Sequence, residues 1–134
     1  MVIIGHDING EYGHGVHQLN TDCLMKAVEA AHNAEMYPES AQEYGLWNTP
    51  KLYLHLYEQN QIVFPVDEPM SNAGGATPYE IASAAYDCHE SQKQWYPSIL
   101  RGENHAYDCR LFGLYRSTVG PDTGWDIWEN IPER

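Results

Sequence analysis

The 134-residue chain predicts an α/β fold. Three observations carry that expectation. A short β-branched run, Val2-Ile3-Ile4, gives way to a glycine-bearing loop and then to a stretch of helical periodicity. A second run, Lys51 to Glu58, alternates leucines with aromatic and polar residues. A capped helix start, Thr77-Pro78-Tyr79-Glu80, then precedes a last β-like run from Leu111 to Val119. Strand and helix signals alternating along a chain are the mark of layered α/β architectures.

The elements follow in order. Val2 to Ile4 reads as a buried strand that ends at Gly5. The loop from His6 to Gly15 carries three glycines, which permit tight backbone geometry. A helix is predicted from Val16 to Ala34, because Leu19, Cys23, Leu24, Ala27, Val28 and Ala31 recur at helical spacing. Residues 35 to 50, with two prolines and mixed polar side chains, read as a long surface connection. In the next strand Leu52, Leu54 and Leu56 should face one way, and Tyr53, His55 and Tyr57 the other. Pro65 makes the run Ile62 to Val66 an edge strand or no strand. Thr77 can cap the second helix, Pro78 suits its first position, and Glu80 completes a capping box. That helix is predicted to reach about Lys93, ahead of Trp95-Tyr96-Pro97. The acidic, aromatic segment from Asp122 to Arg134 gives no clear signal.

Composition narrows the function classes. The length suits a single domain spanning residues 1–134. A net charge of -12 argues against a nucleic-acid partner, since phosphate binding needs clustered Lys and Arg. It argues equally against anionic membranes. Cys23, Cys88 and Cys109 are odd in number and form no CxxC pair, so a disulfide framework is not expected and a reducing cytoplasm is. No apolar run approaches the length of a bilayer span.

The sharpest local feature is Tyr12-Gly13-His14-Gly15-Val16-His17. Two histidines three apart at the start of a helix project from one side. Imidazole is a good zinc ligand, and a second ring can stabilise a developing oxyanion. By spacing alone the signal is weak, and a catalytic zinc needs three protein ligands plus water. Among the other histidines, His32 reads as a cation at a helix C-terminus, and His55 as a hydrogen-bonded structural ring or a pocket liner. His89 can pack or cap within the second helix, and His105 carries no pattern. His6-Asp7 stands at a strand end, where open α/β sheets place their sites. Asp7 and Glu11 are possible acids or bases, and Arg116 reads as a salt-bridge partner before a substrate clamp.

The segment from His6 to His17 resembles the second conserved segment of the LmbE/PIG-L deacetylases, a glycine-tyrosine-glycine-histidine loop ending in HPDH or HGxH. The resemblance continues through residues 51–57, 84–92 and 111–120, and so covers most of the chain. It implies the C-terminal part of an LmbE-like deacetylase domain: a partial Rossmann-like three-layer sandwich, truncated at its N-terminus. It also implies a hydrolase that removes acetyl groups from amino sugars of the GlcNAc type, using zinc. His17 then corresponds to the metal-binding histidine, His14 to the ring that stabilises the oxyanion or protonates the amine, and Tyr12 to a mobile tyrosine near the reacting carbonyl. Val16 stands where the HPDH version has an aspartate. The family's AHPDDE motif, which supplies two further ligands and the general base, is not in this sequence. An amino-sugar substrate, a complementing N-terminal half and a homo-oligomer are the partners this implies. The alternative is a non-catalytic carbohydrate-binding or protein-interaction remnant of the family.

Overall fold

A computed structural model describes all residues except 92, 96–105, 125 and 133–134. The chain falls into two compact units, one formed by Met1–Ile62 with Leu111–Arg134, the other by Val63–Arg110.

The first unit holds the sheet. Strands β1 (Val2–Gly5), β2 (Lys51–His55), β3 (Gln61–Val63) and β4 (Leu111–Ser117) lie in the order β1-β2-β4-β3. β1 and β2 are parallel, with Gly5 opposite Leu54, while β2 and β4 are antiparallel. Parallel neighbours need a crossover, and the helix α1 (Gly15–Ala31) lies within that connection. Val28 of α1 is buried with Leu52 and Leu54 of β2, and Ile3, Leu24, Met25 and Tyr57 pack around them.

Several sequence expectations need correction. β1 is an edge strand and is only partly buried, with Ile4 exposed. Leu19 and Cys23, expected on the core stripe of α1, are exposed. The connection from 35 to 50 contains a helix, α2 (Pro38–Tyr44), which starts with a proline in its first turn and stops at Gly45 with φ 78°. The alternation of β2 breaks after His55 because Leu56 adopts φ 58°. Tyr57 is thereby turned onto the leucine core, away from the face of Tyr53 and His55.

The C-terminal segment, which gave no signal in the sequence, is anchored by charge. Lys51 Nζ sits 2.5 Å from Asp122 Oδ1 and donates to the Ile127 carbonyl at 3.0 Å. Tyr53 donates its hydroxyl to the other oxygen of Asp122. Lys51 and Asp122 are both buried within the fold. Arg116 is structural as expected: it binds Glu29 at 2.8 Å, the Asn48 side chain and the Thr49 carbonyl.

In the second unit, α3 (Pro78–Tyr86) opens with the expected capping box between Thr77 and Glu80. It ends at Tyr86, well short of Lys93, and the chain leaves it in tight turns closed by Cys88 and His89 N–H bonds to Ala85 and Tyr86. Tyr96, Pro97 and His105 lie outside the described residues. Arg110 forms a bidentate pair with the buried Asp108, at 2.7 Å for the Nη2 contact. Among the described residues no helix is long and apolar enough to cross a membrane.

Candidate functional site

The histidines gather where β1 and β2 end. Parallel pairing of Gly5 with Leu54 brings the next residues, His6 and His55, side by side at the C-terminal edge of the two strands. In open α/β sheets this edge is where ligands bind. The loop after β1 then returns over that edge. Asp7 closes its first turn, with Oδ1 accepting the Asn9 N–H at 3.0 Å and its carbonyl accepting from Gly10. Gly10 has φ 75°, and a Cβ there would sit 2.6 Å from the His14 carbonyl, so only glycine fits. Tyr12 takes φ 58° and keeps its side chain exposed. The loop feeds into α1, whose cap residue is His14, and the His14 side chain makes no capping hydrogen bond.

The His14 and His17 rings are neighbours, with centroids 4.9 Å apart and planes tilted by 46°. His6 also stacks on His17, again at 4.9 Å between centroids and within 7° of parallel. His17 Nδ1 is buried without a hydrogen-bond partner. A buried ring nitrogen left unsatisfied costs free energy, so a ligand that fills it would be favoured. The Thr21 hydroxyl fixes the floor beneath, 3.3 Å from the His6 carbonyl and 3.2 Å from those of Asp7 and His17.

Glu11 ties the loop to the sheet. Its Oε1 lies 2.7 Å from His55 Nδ1 and 3.6 Å from His6 Nδ1, and it accepts the Asp7 backbone N–H at 3.2 Å. Burial pushes the Glu11 carboxyl up. The His55 hydrogen bond, the Asp7 N–H and the charges of His55 and His6 outweigh that and hold it below its ordinary 4.5. The sign follows: a carboxyl whose pKa is lowered on folding stabilises the fold above the unfolded value and loses that contribution as pH falls through the folded one. Glu11→Gln is therefore expected to cost roughly 1–2 kcal/mol near neutral pH. The deficit should begin to shrink as pH falls past the ordinary 4.5, where the unfolded chain takes up the proton first, and vanish only below the lowered value of the native carboxylate. Urea unfolding of both forms from about pH 3 to 7, a range that spans the transition, measures this.

Of the residues singled out by sequence, the structure brings together His6, Glu11, His14, His17 and His55. Tyr12 lies in the same loop. The described histidines outside this group have their own local partners. His32 closes α1 and bonds the Val28 carbonyl, and His89 follows α3 and stacks on Tyr86. Asp7 is spent on its own turn. The Glu11–His55 link was not visible in sequence, since 44 positions separate the pair. Thr21 was missed too, although a threonine on the core side of α1 was a hint.

As a metal centre this donor set is partial. The orphaned His17 nitrogen suits one metal bond. The His6 and His17 rings stack within 7° of parallel, so their in-plane lone pairs lie in separate, near-parallel planes rather than meeting at one point. Among the described residues, no three or more His, Cys, Asp or Glu side chains form a group able to hold a metal. No protein-family model, no curated protein and no solved structure matches the chain.

Proposed function

We propose that this chain supplies the histidine-bearing part of a zinc-dependent N-deacetylase site acting on GlcNAc-type amino-sugar conjugates. The remaining ligands and the general base come from a complementing polypeptide. The observation that carries this reading is the buried, partnerless His17 Nδ1 flanked by His14 at the C-terminal edge of β1 and β2. The reaction class comes from the sequence resemblance of His6 to His17 to the LmbE/PIG-L loop.

Zinc, when bound, would polarise the amide carbonyl or its attacking water. This chain's own residues have narrower tasks. His17 offers one nitrogen to the ion. His14 stands at the N-terminal end of α1, where the helix field favours negative charge, with its ring uncommitted to capping. In this reading, as the resemblance implies, it donates to the oxyanion that forms when the amide carbon becomes tetrahedral. Tyr12, exposed on the same loop, can approach the sugar from the solvent side. Glu11 holds His55 and the loop in register.

The test is acetate release from a GlcNAc conjugate in the presence of zinc. The chain is assayed alone and mixed with a polypeptide bearing an AHPDDE strand end. Release is expected in the mixture and not from the chain alone. His14→Ala should lower it by about 100-fold or more, the scale of losing one oxyanion donor. A mixture that releases no acetate, or release that ignores His14, would overturn the reading.

A further inference from the structure

The sheet has two unlike edges. β3 is blunted: it spans three residues and stops two short of Pro65. β1 is not. Val2-Ile3-Ile4-Gly5 carries no charge, no proline and no bulge, and it pairs in unbroken register with β2. A parallel strand turns only about half of its main-chain groups toward one neighbour. Among the described residues no other element takes up the outward half. The side chains agree. Ile4 is 47% exposed, while Tyr53, its register partner on β2, is fully buried. An apolar edge left unguarded in this way is a template for one more strand.

We infer that β1 is a strand-addition site. Its occupant is an uncharged, β-branched strand of the complementing polypeptide, running parallel to β1 and followed by a loop that carries Asp or Glu. That a strand binds here follows from the edge itself; its direction and its loop rest on the deacetylase reading above. A strand laid parallel to β1 lies about 4.8 Å away and ends, as β1 does, beside His6. The loop after it leaves the sheet where His6, His17 and His55 gather. Loops diverging from neighbouring parallel strands form the crevice in which open α/β sheets bind ligands.

The loop has to bring carboxylates. Asp7 closes its own turn and Glu11 is held by His55, so His17 meets a divalent ion without either. A hydrolytic zinc needs three protein ligands, and a base to take the proton of its water. A second copy supplies neither. Related by a two-fold axis, its β1 would pair antiparallel and set its own histidine end beside Val2, away from the site.

The probe is a synthetic peptide of alternating Val and Thr followed by Gly-Asp-Asp, offered to the full chain without zinc. Its twin is N-methylated throughout the strand and so has no main-chain donors. Titration should slow amide exchange in β1. A nitroxide at the peptide's C-terminal end should broaden the signals of His6 and His55, and one at its N-terminal end those of Val2 and Lys51. Affinity should fall about tenfold or more for the methylated twin, the scale of one or two net hydrogen bonds, and comparably in Ile4→Lys, which guards the edge with a charge. Pairing needs no metal and should survive His17→Ala, so pairing without acetate release would overturn the deacetylase reading and leave the strand site standing. No protection of β1, equal binding of the twin, or the two nitroxide patterns exchanged would overturn the inference. So would sedimentation showing a dimer that Ile4→Lys dissolves, which would give the edge to a second copy.

Discussion

Replacing Lys51 with methionine is expected to destabilise the protein by about 3–5 kcal/mol, the usual cost of stranding a buried charge. The Lys51 side chain is fully buried and that of Asp122 only 1% exposed. Without the ammonium, Asp122 keeps the Tyr53 hydroxyl and loses the cation beside it, and the Ile127 carbonyl loses a donor. Asp122→Ala should cost a similar amount, because it leaves Lys51 unpaired. The two losses should not add, since they break one network. Removing the whole cluster, as Lys51→Met, Asp122→Leu and Tyr53→Phe together, should recover most of the stability, because an apolar replacement of a buried pair is often neutral. Urea unfolding of the singles and the triple separates the outcomes. A single variant as stable as the parent would mean that water reaches the pair.

Gly113→Ala should be the most damaging single methyl in the sheet. Leu56 and Asn60 both adopt positive φ, and the turn they frame folds back over β4. Leu114 N–H donates to the Gln59 carbonyl at 3.1 Å in that turn. A Cβ on Gly113 would strike the Tyr57 carbonyl oxygen and come within 2.8 Å of that of Gln59. These are backbone atoms, so no rotamer change relieves the clash, and either β4 or the turn must shift. A loss of about 1–3 kcal/mol is expected from overpacking alone. Thermal unfolding measures it, and an unchanged midpoint would place the turn elsewhere.

Both effects show what sequence reveals and what it conceals. The periodicity of α1, the alternation of β2 and the capping box of α3 were legible because each is a local property of neighbouring residues. The helix α2 was hidden because it is only about two turns long and lies in a mixed polar segment with two prolines that also suits a loop, although Pro38, Glu39 and Gly45 are ordinary start and stop residues. The end of β2 was hidden for a different reason. Leucine does not favour φ 58°, so nothing at Leu56 announces that the alternation stops. Leu19 and Cys23 show that one helix can carry apolar residues on two faces, of which the sheet covers one.

The site divides along the same line. His14 and His17 are three apart on one helix end, and their adjacency could be read directly from spacing. Glu11 with His55, and His6 with His17, meet through the parallel pairing of β1 and β2 and the fold of the intervening loop. Lys51 with Asp122 is harder still, because a charged side chain in a sequence ordinarily signals solvent.

On the proposed function, His17, with His14 beside it, presents a nitrogen to a divalent ion. The direct measurement is a zinc titration followed through the histidine ring signals by nuclear magnetic resonance. The rings of His14 and His17 should respond first and together, those of His32 and His89 should stay fixed, and His17→Ala should weaken binding at least tenfold, the scale of disturbing one metal-site residue. Zinc that leaves the His17 ring unmoved, or binds His17→Ala as tightly as the parent, would contradict it.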